Sequence, residues 1–360
     1  MIRVMVVDDS PLVRKIATDI LNSDPEIEVV ATASTAEFAL KKLSRVNPDV
    51  ITMDIEMPGM GGIEAIRRIM SERPTPIVVL SAFAKRGAEL TLQALESGAV
   101  DFILKPSFSM SGGINDISSE LIEKVRNAAR IEVSKIKDTL EGKHVRSVSY
   151  SGIVKKTGND FKGSDYKIVA FGTSTGGPVA LKEVLSKLPQ NFPVGIVVVQ
   201  HMPPVFTRAF AGRLDSICQL EVREAIDGDL ILPGRVLIAP GDYHMTVLKD
   251  SDKSFVKLHK WDPVSGHRPS VDVLMHSVAR EYGSSAIAVI MTGMGRDGAE
   301  GIKELKSRGG WIISQDRDSS VIFGMNGEVI KNGDADEIVP LNCIADSLIK
   351  KVGMKLEIAM

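Results

Sequence analysis

A serine between glycines is the first feature of the chain that could do chemistry. The segment Gly172-Thr-Ser-Thr-Gly176-Gly177 matches G-x-S-x-G, in which the glycines permit a sharp turn that presents the hydroxyl of Ser174. A glycine-rich turn before a helix could instead bind an anion on backbone amides, or be a plain tight turn. The segment has neither the G-x-G-x-x-G spacing of a dinucleotide site nor the lysine of a P-loop. The motif by itself leaves the three interpretations open.

A nucleophilic serine requires a general base and a group that orients the base. His201 follows one apolar strand pattern and Asp297 lies in a glycine-rich segment after another. Because the carboxyl ends of parallel strands share one edge of a sheet, both should lie near Ser174. We predict Ser174 as nucleophile, His201 as base and Asp297 as the orienting carboxylate. Backbone amides near Thr175 and Met294 are the candidates for an oxyanion hole.

Other histidines fit the role of base less well. His259 lies in an alternating strand pattern, His276 lies in the middle of a helical pattern and His144 lies in a polar stretch, whereas His267 precedes a helix and is a candidate to line a substrate cleft. The chain order Ser, His, Asp differs from the order Ser, Asp, His of α/β-hydrolases, which argues against that fold. Histidine spacings typical of a zinc hydrolase are absent from the sequence.

A second set of chemical residues closes the strand patterns of the first half. Asp8 and Asp9 follow the first apolar run, Asp54 ends the third, Ser81 ends the fourth and Lys105 follows the fifth. Three carboxylates at one sheet edge repel one another unless a cation neutralises them, and hard oxygen ligands suit Mg²⁺. We predict that Asp54 accepts a phosphoryl group while the metal and Lys105 neutralise charge, and that Ser81 can turn toward the new phosphate. Taken singly, an Asp pair is often a helix N-cap and Lys-Pro often a turn; their joint order favours the chemical interpretation.

The elements that must position these side chains follow from hydrophobic periodicity. Short apolar runs alternate with amphipathic segments in both halves of the chain, which indicates an α/β protein with two doubly wound parallel sheets. The stretch from Gly234 to Trp261 alternates like hairpin strands, so we predict an antiparallel excursion there. The predicted strands are Arg3–Val7, Glu28–Ala33, Val50–Asp54, Ile77–Ser81 and Phe102–Leu104 in the first half, and Ile168–Phe171, Val194–Val199, Val236–Ala239, Ala286–Met291 and Trp311–Ser314 in the second.

Helical patterns and a polar stretch divide the chain into domains. Asp116 is the predicted N-cap of a helix after the first five strands. The stretch from Glu141 to Asp165 is polar and lacks sustained periodicity, which predicts a linker. We expect one domain over 1–130, a helical extension and linker over 131–166, and a second domain over 167–355. The other predicted helices are Pro11–Asn22, Thr35–Arg45, Pro178–Leu188, Pro204–Leu214, Ser270–Glu281 and Gly298–Ser307.

Composition excludes several classes of protein. With 360 residues, 44% hydrophobic and 25% charged, the chain has the balance of a globular protein. Its net charge of -2 gives no reason to expect nucleic acid or an anionic membrane as partner. The two cysteines, Cys218 and Cys343, have no metal-binding or redox spacing. The first apolar run is short and ends in aspartates, and no apolar stretch is long enough to cross a bilayer, so we expect a cytoplasmic protein.

Three blocks of the first half resemble the signature of two-component receiver domains: Val-Val-Asp-Asp-Ser, Met-Asp-Ile-Glu-Met-Pro-Gly-Met-Gly-Gly and Leu-Lys-Pro. The resemblance runs from Met1 to about Arg130 and implies a flavodoxin-like (βα)5 fold, with a histidine kinase as phosphodonor. The residues it implies are the phosphoacceptor Asp54, the Mg²⁺ site of Asp8, Asp9, Asp54 and the Glu56 backbone carbonyl, the phosphate contact Lys105, and the switch pair Ser81 and Phe102.

Five blocks of the second half resemble the chemotaxis protein-glutamate methylesterases. They are Gly-Thr-Ser-Thr-Gly-Gly-Pro, Val-Gln-His-Met-Pro-Pro-Val-Phe-Thr, Ile-Ala-Pro-Gly-Asp-Tyr-His-Met, His-Arg-Pro-Ser-Val-Asp-Val-Leu and Met-Thr-Gly-Met-Gly-Arg-Asp-Gly. The resemblance covers about Lys167 to Val352. It implies a triad of Ser174, His201 and Asp297 that hydrolyses γ-glutamyl methyl esters on the cytoplasmic helices of chemoreceptors without a cofactor, and glutamine deamidation by the same chemistry. We expect a monomer.

One further hypothesis concerns how the two halves act together, and two rival hypotheses concern the function of the chain. We expect the unphosphorylated receiver to pack over the Ser174 cleft and phosphorylation of Asp54 to free it, since tethering makes a weak interface effective. One rival hypothesis makes the second domain a nucleotide- or anion-binding module with Gly172–Gly177 as its cradle. Another rival, a transcriptional regulator, lacks a compact helix-turn-helix pattern or a strongly basic face.

Overall fold

The computed structural model describes residues 1–82, 84–105, 114–134, 166–251 and 253–354. The chain divides into two compact units, Met1–Lys143 and His144–Met360. Most of the predicted extension and linker, including His144, lies outside the described residues. Across the parts of the chain that the structure describes, no helix combines the length and apolar character needed to cross a bilayer.

A parallel sheet of five strands forms the first unit, in the order β2-β1-β3-β4-β5. Every residue of β3 and β4 is buried and neither strand alternates polar with apolar residues along its whole length, as expected when helices cover both faces of a sheet. The strands are β1 (Ile2–Val7), β2 (Ile27–Ala33), β3 (Val50–Asp54), β4 (Ile77–Ser81) and β5 (Asp101–Leu104).

Local signals set the starts of the first helices. Ser10 caps α1, with Pro11 in the first turn, and Thr35 caps α2 by accepting the Phe38 amide. The prediction for Asp116 was wrong: the helix begins at Ile114, so Asp116 lies inside it. The helices are α1 (Pro11–Asn22), α2 (Ala36–Val46), α3 (Gly62–Glu72), α4 (Lys85–Glu96) and α5 (Ile114–Ala128).

A parallel sheet of seven strands forms the centre of the second unit, in the order β14-β13-β12-β6-β7-β9-β8. The strands β6, β7 and β12 are buried along their whole length. The strands of this sheet are β6 (Ile168–Thr173), β7 (Gly195–Gln200), β8 (Glu221–Glu224), β9 (Arg235–Ile238), β12 (Ala286–Ile290), β13 (Trp311–Gln315) and β14 (Glu337–Val339).

An antiparallel hairpin of β10 (His244–Asp250) and β11 (Lys253–His259) interrupts the alternation of strand and helix. It lies inside the predicted excursion, and the predicted fold class is confirmed for both units. The helices of the second unit are α6 (Gly177–Leu185), α7 (Phe206–Asp215), α8 (Val271–Tyr282), α9 (Ala299–Ser307), α10 (Met325–Lys331) and α11 (Ile344–Lys351).

Each sheet has a point at which the strand order reverses. In the first unit β1 lies between β2 and β3, and in the second unit β6 lies between β7 and β12. Ligands of doubly wound proteins bind outside the carboxyl ends of the strands at such a point, because the flanking loops diverge there. Asp8, Asp9 and Asp54 lie at the carboxyl ends of β1 and β3, and Ser174, His201 and Asp297 follow β6, β7 and β12.

Candidate functional site

Ser174 follows the central strand β6 in a turn that needs its glycines. Gly176 has φ +78°, a left-handed conformation that side chains disfavour. A Cβ on Gly177 would lie 2.0 Å from Oε1 of Gln200. The amide of Ser174 donates to the carbonyl of Thr292, 3.1 Å away. The turn therefore holds Ser174 against the end of β12.

His201 follows the neighbouring strand β7. Its amide donates to the carbonyl of Thr173, at 3.1 Å, so the strand ends that carry Ser174 and His201 lie side by side. The Gln200 side chain accepts from the Thr173 hydroxyl at 2.7 Å and donates to the Ser174 carbonyl at 2.9 Å. The buried side-chain amide of Gln200 therefore links the turn that carries Ser174 to the end of β7, which His201 follows.

Asp297 lies after β12 and contacts the imidazole of His201. Asp297 Oδ2 is 2.7 Å from His201 Nε2, and the two side chains are 1% and 8% exposed. Nδ1 of His201 is buried and has no hydrogen-bond partner among the described residues. A proton on Nε2 would thus bond the carboxylate and leave the Nδ1 lone pair to act as base.

The carboxylate of Asp297 occupies the N-terminus of helix α8. It accepts hydrogen bonds from the Ser270 hydroxyl at 2.8 Å and from the amides of Val271 and Asp272 at 2.7 and 3.0 Å. Burial by itself would raise the pKa of Asp297, but the hydrogen bond and charge of His201 and these amides lower it to about 2. Asp297 is therefore ionised at neutral pH, as an orienting carboxylate must be.

The segments predicted for the oxyanion hole flank the serine turn. The Thr292 hydroxyl donates to the carbonyl of Thr175 at 2.9 Å, and Met294 follows two residues later. Gly293 lies between Thr292 and Met294 in the sequence, and a Cβ on Gly293 would lie 2.9 Å from Cβ of Ser174. A glycine at this position lets the loop after β12 approach the nucleophile.

The remaining histidines occupy varied positions. The ring of His267 stacks on that of His201, with centroids 3.8 Å apart, so the predicted cleft residue does lie at the site. His276 Nδ1 is 2.6 Å from Glu304 on the neighbouring helix α9. His259 lies in β11, 2.9 Å from the Thr246 hydroxyl.

The carboxylates predicted in the first half meet at the switch point of the first unit. Ligand oxygens of Asp8, Asp9 and Asp54 lie within 4.8 Å of one another. Lys105 Nζ is 2.9 Å from Asp8 and 2.8 Å from Asp54. The Glu56 amide donates to Asp54 at 3.1 Å, which places the Glu56 backbone beside the cluster.

Comparison with known proteins identifies both units. Residues 169–348 match the CheB methylesterase family, and residues 4–111 match the response regulator receiver domain. The chain is 45% identical over 355 residues to a protein-glutamate methylesterase/protein-glutamine glutaminase of Xanthomonas campestris, covering 97% of this chain and 100% of the relative. This chain belongs to the CheB methylesterase family.

Further CheB relatives agree. A protein-glutamate methylesterase/protein-glutamine glutaminase of Sulfurimonas denitrificans is 46% identical over 350 residues, covering 95% of this chain and 96% of the relative. The crystal structure of the Thermotoga maritima CheB methylesterase catalytic domain is 47% identical, with a TM-score of 0.51, and covers 51% of this chain and 98% of its own.

The receiver of this CheB chain fits a magnesium ion. Receiver domains generally are phosphorylated with Mg²⁺, and three carboxylates around one point are the hard oxygen donors this ion prefers. Burial raises the pKa of Asp8 even though Lys105 lies nearby, so its ionised form is disfavoured without a further positive charge. A divalent cation would supply that charge.

The predicted switch residues of the CheB receiver lie on adjacent buried strands. Ser81 ends β4, is 2% exposed and contacts the Thr91 hydroxyl at 2.7 Å. Phe102 lies in β5, is buried, and has Lys124 Nζ 5.2 Å from its ring centroid. The Ser81 hydroxyl is thus held by α4 rather than by the carboxylate cluster.

Sequence reasoning missed several residues of the CheB site. Ser270 and Gln200 had no assigned role, yet they contact Asp297 and the Ser174 turn. The N-cap pattern before α8 gives a signal for Ser270, because serine is favoured at that position. For Gln200 the sequence carried no comparable signal.

Proposed function

We propose that the chain hydrolyses γ-glutamyl methyl esters on the cytoplasmic helices of chemoreceptors to glutamate and methanol. The proposed triad is Ser174, His201 and Asp297. The observation that carries it is the buried 2.7 Å contact between His201 and an ionised Asp297, directly beside the strand end that bears Ser174. The names of the relatives, protein-glutamate methylesterase/protein-glutamine glutaminase, support the substrate class.

The proposed reaction assigns a role to each of these groups. His201 accepts the Ser174 proton as the serine oxygen bonds to the ester carbonyl carbon, and backbone amides of the Thr175 and Met294 segments stabilise the oxyanion. His201 then donates that proton to the leaving methoxy oxygen, which departs as methanol. In the second half of the reaction His201 takes a proton from water as the water oxygen bonds to the acyl carbon. His201 then returns that proton to the Ser174 oxygen as the acyl bond breaks and glutamate leaves. A glutamine side chain follows the same course with ammonia as leaving group, so we propose deamidation as well.

Substitution of the serine tests the enzymatic role. Ser174→Ala should lower the rate of methanol release from methyl-labelled receptor by roughly 10³–10⁶-fold. Ser307→Ala, which changes an exposed serine at the end of α9, is the matched control and should leave the rate unchanged. Full turnover by Ser174→Ala would contradict the nucleophilic role of Ser174. If the rival anion-binding module is correct, wild type should release no methanol and Ser174→Ala should keep its ligand.

We also propose that Asp54 is the phosphoacceptor of the receiver. Asp8, Asp9 and the Glu56 carbonyl would hold Mg²⁺ with it, Lys105 would contact the phosphate, and a histidine kinase would be the donor. The support is the cluster geometry, in which Lys105 bridges the two buried carboxylates at 2.9 and 2.8 Å.

Phosphate incorporation tests that role. With Mg²⁺ and a small-molecule phosphodonor such as acetyl phosphate, Asp54→Asn should take up no acid-labile phosphate, because it lacks the acceptor oxygen. Asp19→Asn changes an exposed aspartate that pairs with Lys15 and should be labelled as wild type. Equal labelling of both variants would contradict the assignment.

We also propose where the protein acts, with which partners and in what oligomeric state. We propose that it acts in the cytoplasm, together with the proposed partners, receptor cytoplasmic helices and a histidine kinase. A net charge of -2 offers no general attraction to nucleic acid. We propose that it acts as a monomer built from domains over 1–130 and 167–355 joined by 131–166, with Ser81 and Phe102 as the switch pair.

A further inference from the structure

The hairpin of the second unit carries a buried histidine outside the proposed triad. His244, in β10, is 0% exposed. Its Nε2 lies 3.0 Å from the Asp262 carbonyl oxygen, and its Nδ1 lies 3.2 Å from the Ser270 backbone nitrogen. A carbonyl can only accept and a backbone amide can only donate, so the proton sits on Nε2 and the ring is neutral.

These contacts continue to the catalytic base. Ser270, also 0% exposed, donates its hydroxyl to Asp297 Oδ1 at 2.8 Å, and Asp297 Oδ2 contacts His201 at 2.7 Å. His244 holds the backbone of the same serine whose side chain holds the carboxylate. The hairpin, which adds no strand to the main sheet, is thereby connected to the imidazole through three hydrogen bonds.

We propose that His244 is a positioning residue for ester hydrolysis: through the Ser270 amide it fixes Asp297, and hence the orientation of His201. The inference rests on the proposed function of Ser174, His201 and Asp297. Residues of this kind contact no reacting group themselves but hold the residues that orient it, and so affect the orientation on which proton transfer depends. The ring touches no reacting atom, so its loss should act on kcat rather than on KM.

Two variants of similar polarity separate positioning from packing. In His244→Asn the amide oxygen can occupy the place of Nδ1 and still accept the Ser270 amide. In His244→Gln the longer side chain reaches the place of Nε2 and the Asp262 carbonyl, but leaves the Ser270 amide without its acceptor. His259→Gln is the matched control, since His259 pairs with His244 across the hairpin and bonds Thr246 instead.

Steady-state methanol release and proton NMR of the full chain provide the measurements. We expect His244→Gln to lower kcat roughly 10- to 100-fold with KM within about twofold, and His244→Asn to recover most of the loss. The downfield proton resonance of the His201–Asp297 hydrogen bond should shift or broaden in the Gln variant and stay in place in the Asn and His259→Gln variants. Thermal unfolding by circular dichroism sets a temperature at which all variants are folded.

The outcomes distinguish this inference from the proposed function. Equal kcat for the Asn and Gln variants, or an unshifted resonance in the Gln variant, overturns the role of His244. Full activity of Ser174→Ala overturns the triad itself. An inactive Ser174→Ala together with a fully active His244→Gln leaves the triad standing and removes only the positioning role.

Discussion

Asp297 is surrounded by hydrogen-bond donors within the described structure: His201, the Ser270 hydroxyl and the amides of Val271 and Asp272. Asp297→Asn replaces one acceptor oxygen by an NH₂ group that faces donors. We expect kcat for methanol release to fall by about 10⁴-fold, because the base loses its tautomer and orientation. Asp318→Asn, an exposed loop position, should have no effect. Comparable rates for both variants would contradict the role of Asp297.

The low pKa of Asp297 also predicts how stability depends on pH. The pKa is 3.8 for an ordinary aspartate and about 2 here, so the ionised form stabilises the fold above 3.8, and this contribution is lost as the pH falls toward 2. Between about pH 5 and about pH 3, wild type should lose about 1 kcal/mol of unfolding free energy more than Asp297→Asn. Urea unfolding followed by tryptophan fluorescence measures this, since Trp261 and Trp311 both lie in the second unit. Equal losses of unfolding free energy in wild type and Asp297→Asn would show that folding does not stabilise the ionised carboxylate of Asp297.

For individual residues, the sequence indicated which side chains could do chemistry better than it indicated which residues contact one another. The expectation that Ser174, His201 and Asp297 follow neighbouring strands agrees with the strand order, because polar residues at strand ends share an edge by topology. The roles of Ser270 and His244 were not predicted, because their contacts join a hairpin, a helix cap and a loop. No local sequence pattern indicates that these three elements lie close together. Whether the triad residues perform their assigned chemistry stays a prediction.

Among the elements, the loop after β12 must pass close to the serine turn. A Cβ on Gly293 would lie 2.4 Å from the Met325 sulfur and 2.9 Å from Cβ of Ser174. Gly293→Ala should therefore displace the turn, lower kcat at least roughly 10²-fold and cost about 1–3 kcal/mol of stability. Methanol release and urea unfolding measure both effects.

A glycine in open space is the control for that substitution. A Cβ on Gly212, in α7, would meet nothing within 4 Å. Gly212→Ala should keep full activity and add about 0.5–1 kcal/mol of stability, because alanine favours a helix. Full activity of Gly293→Ala would mean that the loop can yield without moving the nucleophile.

The elements themselves were predicted well where they are buried. The strands Val50–Asp54 and Ile77–Ser81 agree with the prediction to the residue, since each is mostly apolar and ends at a polar residue. The edge strands Glu221–Glu224 and Glu337–Val339 were missed, because segments of four and three residues are too short to contain a recognisable apolar run. Asp272 lies in the first turn of α8, and its carboxylate also accepts the Gly301 amide of α9, a tertiary contact that no local pattern predicts.

For the whole molecule, we predict that the receiver inhibits the esterase until it is phosphorylated. The isolated segment from Lys167 onward should release methanol at least roughly tenfold faster than the unphosphorylated full chain, because tethering raises the effective concentration of the inhibitor. A catalytic domain of this family from Thermotoga maritima has been solved by itself, which supports the use of the segment. Methanol release with and without acetyl phosphate and Mg²⁺ measures the difference.

Two controls accompany that experiment. The phosphodonor should not change the rate of the isolated segment, which lacks the receiver. Asp54→Asn in the full chain should stay at the inhibited rate in its presence. Equal activity of segment and unphosphorylated full chain would show that regulation, if present, does not act by inhibition.

The position of β6 has a consequence for biosynthesis. This strand is the first of its sheet to leave the ribosome, yet one of its two neighbours, β12, pairs with it from Ala286 onward. The nascent chain must hold an apolar strand unpaired on one side until most of the domain has been translated, and such late, distant pairing slows folding and exposes it to aggregation. The chain therefore cannot hydrolyse esters until most of it, including β12, has been synthesised. Fragments released by premature termination before β12 would be inactive.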